Sequence, residues 1–493
     1  MNTIAFTVCF AAWMMNGVLV TFLVGNRVFA FDKAEMGWLI GIPVLTGSIF
    51  RLPVGVLTDK YGGRIVYTGV MLVSAAACFL ASYADSFWGF FFAGLGFGLA
   101  GTSFAVGIAY TSIWYPTHQQ GTALGIFGAG NAGAALTSMG APLVLGWLTA
   151  GGANLDGWRN LPRLYAASLL AMAVIFWLLT FSRKVDHGHE LTLRERLAPL
   201  AIVQVWRFGL YYFLVFGGFV ALAQWLIPYY VNVYTVSVAT AGFLASVFTL
   251  PSGVIRALGG WCSDRFGART VMYWVLGGCA AASLALVVPR MDIYAPGEGI
   301  MADSSGVVTE VTPTRVVIGD VGYALRPEPE MGAFDDRTLV FPTSRYWQEA
   351  VVEPGQEVAR RELIARGVTH VYFQANVWIF TVLAFIVGIL MGIGKAAVYK
   401  HIATYFPKDV AVVGGVVGVL GGLGGFVCPI LFGYLLRGTG LWTTCWMFFF
   451  VLSLVCLVWM QVVVKRMLSE RAPRFAQQIE SPHPEPAYRE VTS

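Results

Sequence analysis

The stretch Arg51-Leu52-Pro53-Val54-Gly55-Val56-Leu57-Thr58-Asp59-Lys60-Tyr61-Gly62-Gly63-Arg64 is matched 205 residues later by Arg256-Ala257-Leu258-Gly259-Gly260-Trp261-Cys262-Ser263-Asp264-Arg265-Phe266-Gly267-Ala268-Arg269. Arginine, glycine, aspartate, glycine and arginine fall at the same offsets in both. Each leading arginine lies inside a hydrophobic stretch, and each tail is a short basic connection. A charged side chain at membrane depth costs about 2.5 to more than 10 kcal/mol, so it marks a functional position by default. Two such residues related by an internal repeat point to one anion held between two halves.

The composition agrees with a membrane setting. Mean hydropathy is +0.68, with 57% hydrophobic and 12% charged residues, where soluble domains carry about 25% charged residues. Apolar runs long enough to cross a hydrocarbon core of about 30 Å as helices have centres near Val20, Pro43, Ser74, Phe97, Gly130, Ala171, Phe216, Ser246, Gly278, Phe385, Gly421 and Leu454. The expected fold is an all-α membrane protein of twelve transmembrane helices in two six-helix pseudo-symmetric halves. The N-terminus is apolar from the start but lacks the positive region and small-residue cleavage site of a secretory signal, so it reads as an uncleaved first span. All seven cysteines fall in or at the ends of spans. They form neither a disulfide framework nor a metal site.

Lysine and arginine bias in short connections sets orientation. Even-to-odd connections carry Lys60, Arg64, Arg183, Lys184, Arg194, Arg196, Arg207, Arg265, Arg269, Lys400 and Lys408; the opposite ones carry Arg27, Lys33, Arg159, Arg163 and Arg437. Both termini are therefore expected in the cytoplasm, with the lipid bilayer of the cytoplasmic (inner) membrane as the chain's surroundings.

A second repeat, Pro142-Leu143-Val144-Leu145-Gly146 against Pro429-Ile430-Leu431-Phe432-Gly433, is offset by 287 residues. The larger offset implies about eighty extra residues between the two repeats of the second half. The hydrophilic stretch 291–372 has that length, and it holds thirteen acidic residues, seven arginines and no lysine. Short β-prone runs at 307–312 and 351–358, broken by Gly and Pro, read as strands. The expected plan is an N-terminal six-helix bundle at 1–182, a cytoplasmic linker at 183–204, a C-terminal bundle formed by 205–290 and 373–467, a small β-rich extracytoplasmic insertion at 291–372 between helices 9 and 10, and a disordered cytoplasmic tail at 468–493.

Eight residues of helix rise about 12 Å, and half a bilayer core is about 15 Å. Arg51 and Arg256, eight residues ahead of Asp59 and Asp264, are thus expected near the midplane, where repeat-built transporters bind substrate. All 27 acidic residues lie in loops, tails, the insertion or span ends, which leaves neither arginine an obvious intramembrane partner. The planar guanidinium fork, charged at every relevant pH, suits a planar oxyanion.

Spans 5 and 11 carry glycine at helical spacing, Gly121, Gly125, Gly128, Gly130 and Gly133 in one and Gly418, Gly421, Gly424 and Gly425 in the other. Small residues at this spacing let helix backbones approach and slide. Asn131, on the same face, has two readings: it hydrogen-bonds an oxyanion, or it bonds a neighbouring helix. Lys395 is the third charge inside a span. It either exchanges a proton, as a buried lysine can, or snorkels to the surface.

Together these residues resemble the nitrate/nitrite porter family of the major facilitator superfamily. The two loops Asp59–Arg64 and Asp264–Arg269 carry the superfamily likeness; buried Arg51 and Arg256 with the glycine-rich spans carry the family likeness. The resemblance implies a secondary active transporter, not an enzyme, without cofactor, metal or nucleic-acid partner, expected as a monomer. It implies that Arg51 and Arg256 clasp nitrate, that Asn131 belongs to the signature, and that Phe104, Tyr212 and Phe216 sandwich the ion. Asp59, Arg64, Asp264 and Arg269 would act at the cytoplasmic gate. The intact first loop and the run Gly394–His401 look more like proton-coupled nitrate symporters, with Lys395 as the candidate proton carrier. A nitrate/nitrite exchanger is the close alternative, and a non-transporting anion sensor the alternative of a different class.

Overall fold

The computed structural model describes residues 1–115, 123–124, 126–182, 195, 197–287, 291–328, 343–373, 376–406 and 410–471. The expected linker falls largely, and the tail from residue 472 wholly, outside the described residues, as does Gly125. The chain divides into two compact units, Val288–Val382 and the remainder.

The larger unit is helical. Its first half contains α1 (Asn2–Trp13), α2 (Met15–Gly25), α3 (Lys33–Ile49), α4 (Arg51–Tyr61), α5 (Gly63–Ala81), α6 (Phe87–Phe97), α7 (Ser103–Ser112), α8 (Gly133–Leu148) and α9 (Asn160–Leu179). Its second half contains α10 (Val203–Tyr212), α11 (Gly218–Tyr234), α12 (Val238–Val254), α13 (Arg256–Phe266), α14 (Ala268–Leu286), α15 (Val377–Tyr405), α16 (Val410–Thr439) and α17 (Thr444–Arg471). Among the described residues, nine helices are long and apolar enough to cross a membrane, or up to eleven if each of two bent pairs is one span.

Helix starts follow local chemistry. Asp32 accepts the Glu35 backbone N–H at 2.7 Å while the Glu35 carboxylate accepts the Asp32 N–H at 2.8 Å, a capping box that opens α3,. Ser86 and Ser237 cap α6 and α12 in the simpler way,. The repeated glycines close α4 and α13: Gly62 (φ 86°) and Gly267 (φ 83°) occupy a backbone region that side-chain-bearing residues avoid,.

The halves meet along α3 with α16, α8 with α12, and α2 with α11. Glycine makes the first of these contacts close, since a Cβ on Gly41 would stand 2.6 Å from the Phe426 carbonyl oxygen. The seam ends at an ion pair between Asp32 and Arg437, 3.3 Å apart.

The bent pairs are α3 with α4, at 41°, and α12 with α13, at 48°. Each break falls one residue ahead of an arginine of the repeat. In the first, Pro53 has no N–H to offer the Ile49 carbonyl and its ring crowds it. In the second, Ser252 and Gly253 stand next to the break, a pair that weakens the helical ladder. Gly47 and Ser48 hold the same offsets in the first half, where Pro53 adds to the effect.

The smaller unit is β-rich. Strands β1 (Met291–Met301), β7 (Leu363–Phe373) and β5 (Thr343–Ala350) form one antiparallel sheet in that spatial order. Strands β4 (Val321–Ala324), β3 (Arg315–Ile318), β2 (Gly306–Thr312) and β6 (Glu357–Val358) form a second. Val308, Val316, Ile318, Val358 and Ile364 make its buried core.

Candidate functional site

Arg51 is the first residue of α4 and only 5% exposed. Its Nη1 donates to the Gly418 carbonyl on α16 at 2.9 Å, which reaches from one half to the other. Its Nε and Nη2 are buried without a hydrogen-bond partner. Leaving such donors unsatisfied costs about 1–3 kcal/mol, more when the group is charged. Arg256, the first residue of α13, is partly exposed. Among the described residues no ion pair involves either arginine.

Phe104 lies between the two. Its ring centroid is 5.5 Å from the Arg51 guanidinium carbon and 5.6 Å from that of Arg256, so one aromatic ring lies within cation–π distance of both cations. Phe216 stands 5.1 Å from Arg51, and its ring stacks on Tyr212 at 5.0 Å with 8° between planes. Phe104 and Phe216 continue the stack at 6.3 Å. The structure therefore gathers Arg51, Arg256, Phe104, Tyr212 and Phe216 into one cluster.

Asn131 is buried beside it. Its Nδ2 donates to the Gly128 carbonyl at 2.8 Å, and its Oδ1 has no partner. The bond runs within its own span, not to a neighbouring helix. Gly128 offers open space to Arg256, whose Cδ would be 3.7 Å from a Cβ there. On the other side Gly418 and Gly422 flank Arg51 at 3.9 and 3.5 Å by the same measure. Each arginine thus lies against glycine contributed by the opposite half. Gly421 and Gly424 receive span 7: the Tyr212 ring fills the space beside Gly421, and Gly424 is pressed against Phe213 and Gly217. Gly130 and Gly133 face Phe6 and Thr7 of α1 instead, so their role is packing.

Helix geometry departs from the α-form wherever this cluster is built. Besides the two breaks, a 3₁₀ turn at Gly98–Thr102 precedes Phe104, a second at Ala129–Ala132 contains Asn131, and a π-turn at Phe213–Gly217 lies between Tyr212 and the rest of its span. Such turns re-aim side chains within an otherwise continuous span.

Two participants were not among the sequence-derived binding residues. Tyr399 lies 5.3 Å from the Arg256 guanidinium carbon and edge-on to Tyr212 at 5.3 Å. Ser252 supplies both its carbonyl and its hydroxyl to Lys395 Nζ, each at 3.2 Å. Lys395 is fully buried, with Nζ 3.2 Å from the Phe219 ring centroid, and does not reach the surface. Tyr399 follows Lys395 by four residues, one helical turn, and that spacing was the available signal.

The loop residues lie away from the cluster. Arg64 donates to the Trp177 carbonyl and covers that indole at 4.2 Å, fastening α5 to α9. Asp264 pairs with Lys400 at 2.6 Å; Asp59 stands in the last turn of α4. Arg269 opens α14 beside a cleft with His401 and Arg207. Arg207, counted from sequence as a cation of the connection, is in fact inside α10 and 6% exposed. The amphipathic start of α10 turns it inward against Phe208.

The description of the matching family model is Major Facilitator Superfamily, over residues 2–304 and 363–488. The interval it skips lies in the β-rich unit. A probable nitrate/nitrite antiporter of Thermus thermophilus is 37% identical over 476 residues, 96% of this chain and 92% of the relative. A nitrite extrusion protein of Bacillus subtilis (strain 168) is 23% identical, covering 87% of this chain and 85% of the relative. Among solved structures, a bacterial homologue of the human lysosomal transporter Spinster, inward-facing and unoccupied, aligns over 98% of both chains with a TM-score of 0.60 at 14% identity.

Proposed function

Since the chain belongs to the nitrate/nitrite porter family of the major facilitator superfamily, we propose that it carries nitrate and nitrite through the membrane by alternating access, with the anion between Arg51 and Arg256. One observation carries the assignment of the site: two guanidiniums from opposite halves flank the Phe104 ring, and one of them keeps two buried donors without acceptors. A planar trigonal oxyanion supplies acceptors in the plane of a guanidinium fork and a π-face to Phe104, Phe216 and Tyr212. Asn131 would offer its amide from the glycine-rich side.

In this reading the protein is a twelve-span monomer with both termini in the cytoplasm and the β-rich unit outside it, and the anion site is near the membrane midplane. The empty site holds two cations in proximity. Their repulsion is relieved when an anion arrives, which makes the exchange of access easier for the loaded carrier than for the empty one. Asp59, Arg64, Asp264 and Arg269 would stabilise the cytoplasmic ends during that exchange.

For coupling, nitrate/proton symport is the first reading. Lys395 is buried one helix away from Arg256, with Ser252 as its hydrogen-bond partner. Gaining a proton there adds positive charge close to the bound anion, so anion and proton would favour each other's binding. Nitrate/nitrite exchange is the second reading, favoured by the likeness to the probable nitrate/nitrite antiporter of Thermus thermophilus. Proteoliposomes loaded with or without nitrite, under an imposed pH gradient, separate them. Labelled nitrate uptake driven by external acid alone establishes symport, a strict need for internal nitrite establishes exchange, and no flux under either condition overturns the transport reading.

A further inference from the structure

We propose that a second oxyanion site lies in the C-terminal half, in the cleft between the start of α10, the start of α14, the end of α15 and α17, at the same end of the bundle as the Asp264–Arg269 loop. It is independent of the Arg51–Arg256 cluster and made from residues to which that reading gives no binding role.

The local sequence builds it from two helical i, i+4 pairs. Arg207 and Tyr211 come from one turn of α10, and His401 and Tyr405 from one turn of α15. Phe208 is the plate between them: its ring stacks on His401 at 5.6 Å with 22° between planes, meets Tyr405 at 5.6 Å, and carries the Arg207 guanidinium at 5.1 Å. Arg269 closes one side, and Val463 with its neighbours on α17 forms an apolar wall.

Three polar atoms are sealed here without a partner: Arg207 Nε, Tyr211 Oη and His401 Nε2. Arg207 and His401 are each 6% exposed and Tyr211 is 1% exposed. Among the described residues, no aspartate or glutamate lines the cleft. The carboxylate next to it in sequence, Asp264, is engaged by Lys400 at 2.6 Å. Buried charge is ordinarily paired, and here the Arg207 Nε–H and the Tyr211 O–H lack an acceptor, while His401, bonded to the Ala268 backbone, leaves its second ring nitrogen unpartnered and becomes a donor there on taking a proton. A small oxyanion provides several acceptors on one centre. The cleft is open at its mouth, where a free ion such as nitrate or phosphate, or the phosphate of a lipid headgroup, would approach these groups from the membrane surface.

The test is equilibrium dialysis of the full-length protein in nanodiscs, with labelled nitrate and separately with inorganic phosphate. The forms compared are the native chain, Arg51→Gln, Arg207→Gln, His401→Gln and the double variant Arg51→Gln/Arg207→Gln. The expected result is one equivalent of bound anion that survives Arg51→Gln, disappears in the double variant, and weakens at least tenfold in His401→Gln. Anion-induced rise of the unfolding temperature in the Arg51→Gln background, absent when Arg207→Gln is added, supports the site and checks that the variants are folded. Nanodiscs with and without phosphatidylglycerol separate the sources: displacement of the Arg207-dependent equivalent by that lipid identifies the headgroup, and its indifference identifies the free ion. The proposal is overturned if Arg51→Gln binds neither nitrate nor phosphate, or if Arg207→Gln and His401→Gln bind both as the native chain does. A failure of the central site reads differently, as retention of the native stoichiometry in Arg51→Gln alone.

Discussion

Arg51 on one half donates a hydrogen bond to the Gly418 carbonyl on the other, across 2.9 Å and 367 residues of chain. One nitrogen of the fork is therefore spent on holding the halves together, while the remaining two are buried without an acceptor. A carrier with this arrangement must break the bond whenever the halves part, and a ligand that occupies the other nitrogens changes what that break costs.

Replacing Arg51 by lysine keeps the charge and removes the fork, because an ammonium is a compact point donor. Nitrate should bind at least tenfold more weakly in Arg51→Lys, a loss of about 1.4 kcal/mol, and Arg256→Lys should behave alike. Dissociation constants from nitrate titration of the purified variants decide this, and native affinity in either would remove the planar fork from the recognition argument.

Gly421→Ala should slow turnover. A Cβ there runs into the Tyr212 ring, and overpacking of this kind costs about 1–3 kcal/mol. The matched control is Gly277→Ala, which meets open space. Counterflow rates in proteoliposomes should fall strongly for the first and hold for the second; equal rates would mean that span 7 yields freely.

Lys395→Gln tests coupling separately from carriage. If the lysine takes the proton, nitrate uptake driven by external acid vanishes in the variant while nitrate/nitrite counterflow persists. Loss of both together would make Lys395 a structural residue fastened to Ser252, and retention of acid-driven uptake would place the proton elsewhere.

Asp32 both caps α3 and pairs with Arg437, and two substitutions part these roles. The Glu35 backbone N–H holds the Asp32 carboxyl below its ordinary value against the opposing effect of burial, with lesser help from the Arg437 side chain and the Ala34 backbone. Its folded value is depressed, so its contribution is complete above the unfolded value of about 3.9 and is lost as pH falls through the lower folded value. Stability between pH 5 and 8 should not change on its account. Asp32→Asn keeps a capping oxygen and loses only an exposed ion pair worth about 0–1 kcal/mol, whereas Asp32→Ala also loses the cap, about 1 kcal/mol. Thermal unfolding should therefore rank native and Asp32→Asn close together with Asp32→Ala below them; the reverse order would make the pair, not the cap, the stronger element.

Much of the helical plan and the paired arginines were legible because both leave periodic marks: apolar runs of span length, and a motif repeated at fixed offsets. Glycine facing arginine across the halves was legible only as glycine richness, since sequence does not say which backbone comes near. Tyr399 was hidden by the abundance of aromatics, most of which pack. Arg207 was misplaced for a physical reason. Charge bias assigns any cation near a span end to the connection, and only the turn of α10 shows that this one points inward. The breaks before Arg51 and Arg256 share a glycine–serine pair in either order, Gly47-Ser48 and Ser252-Gly253, three and four residues ahead of each arginine, a signal too common in spans to announce a joint by itself.

Those breaks place each arginine just beyond the pivot of a joint, at the fixed end of a short helix. A change in the 41° or 48° bend would re-aim the guanidinium at that pivot, and the loop at the far end of each short helix is held by Arg64 in one half and Asp264 in the other. In the proposed carrier, the hold on the anion would therefore be set by one joint in each half, without melting a helix.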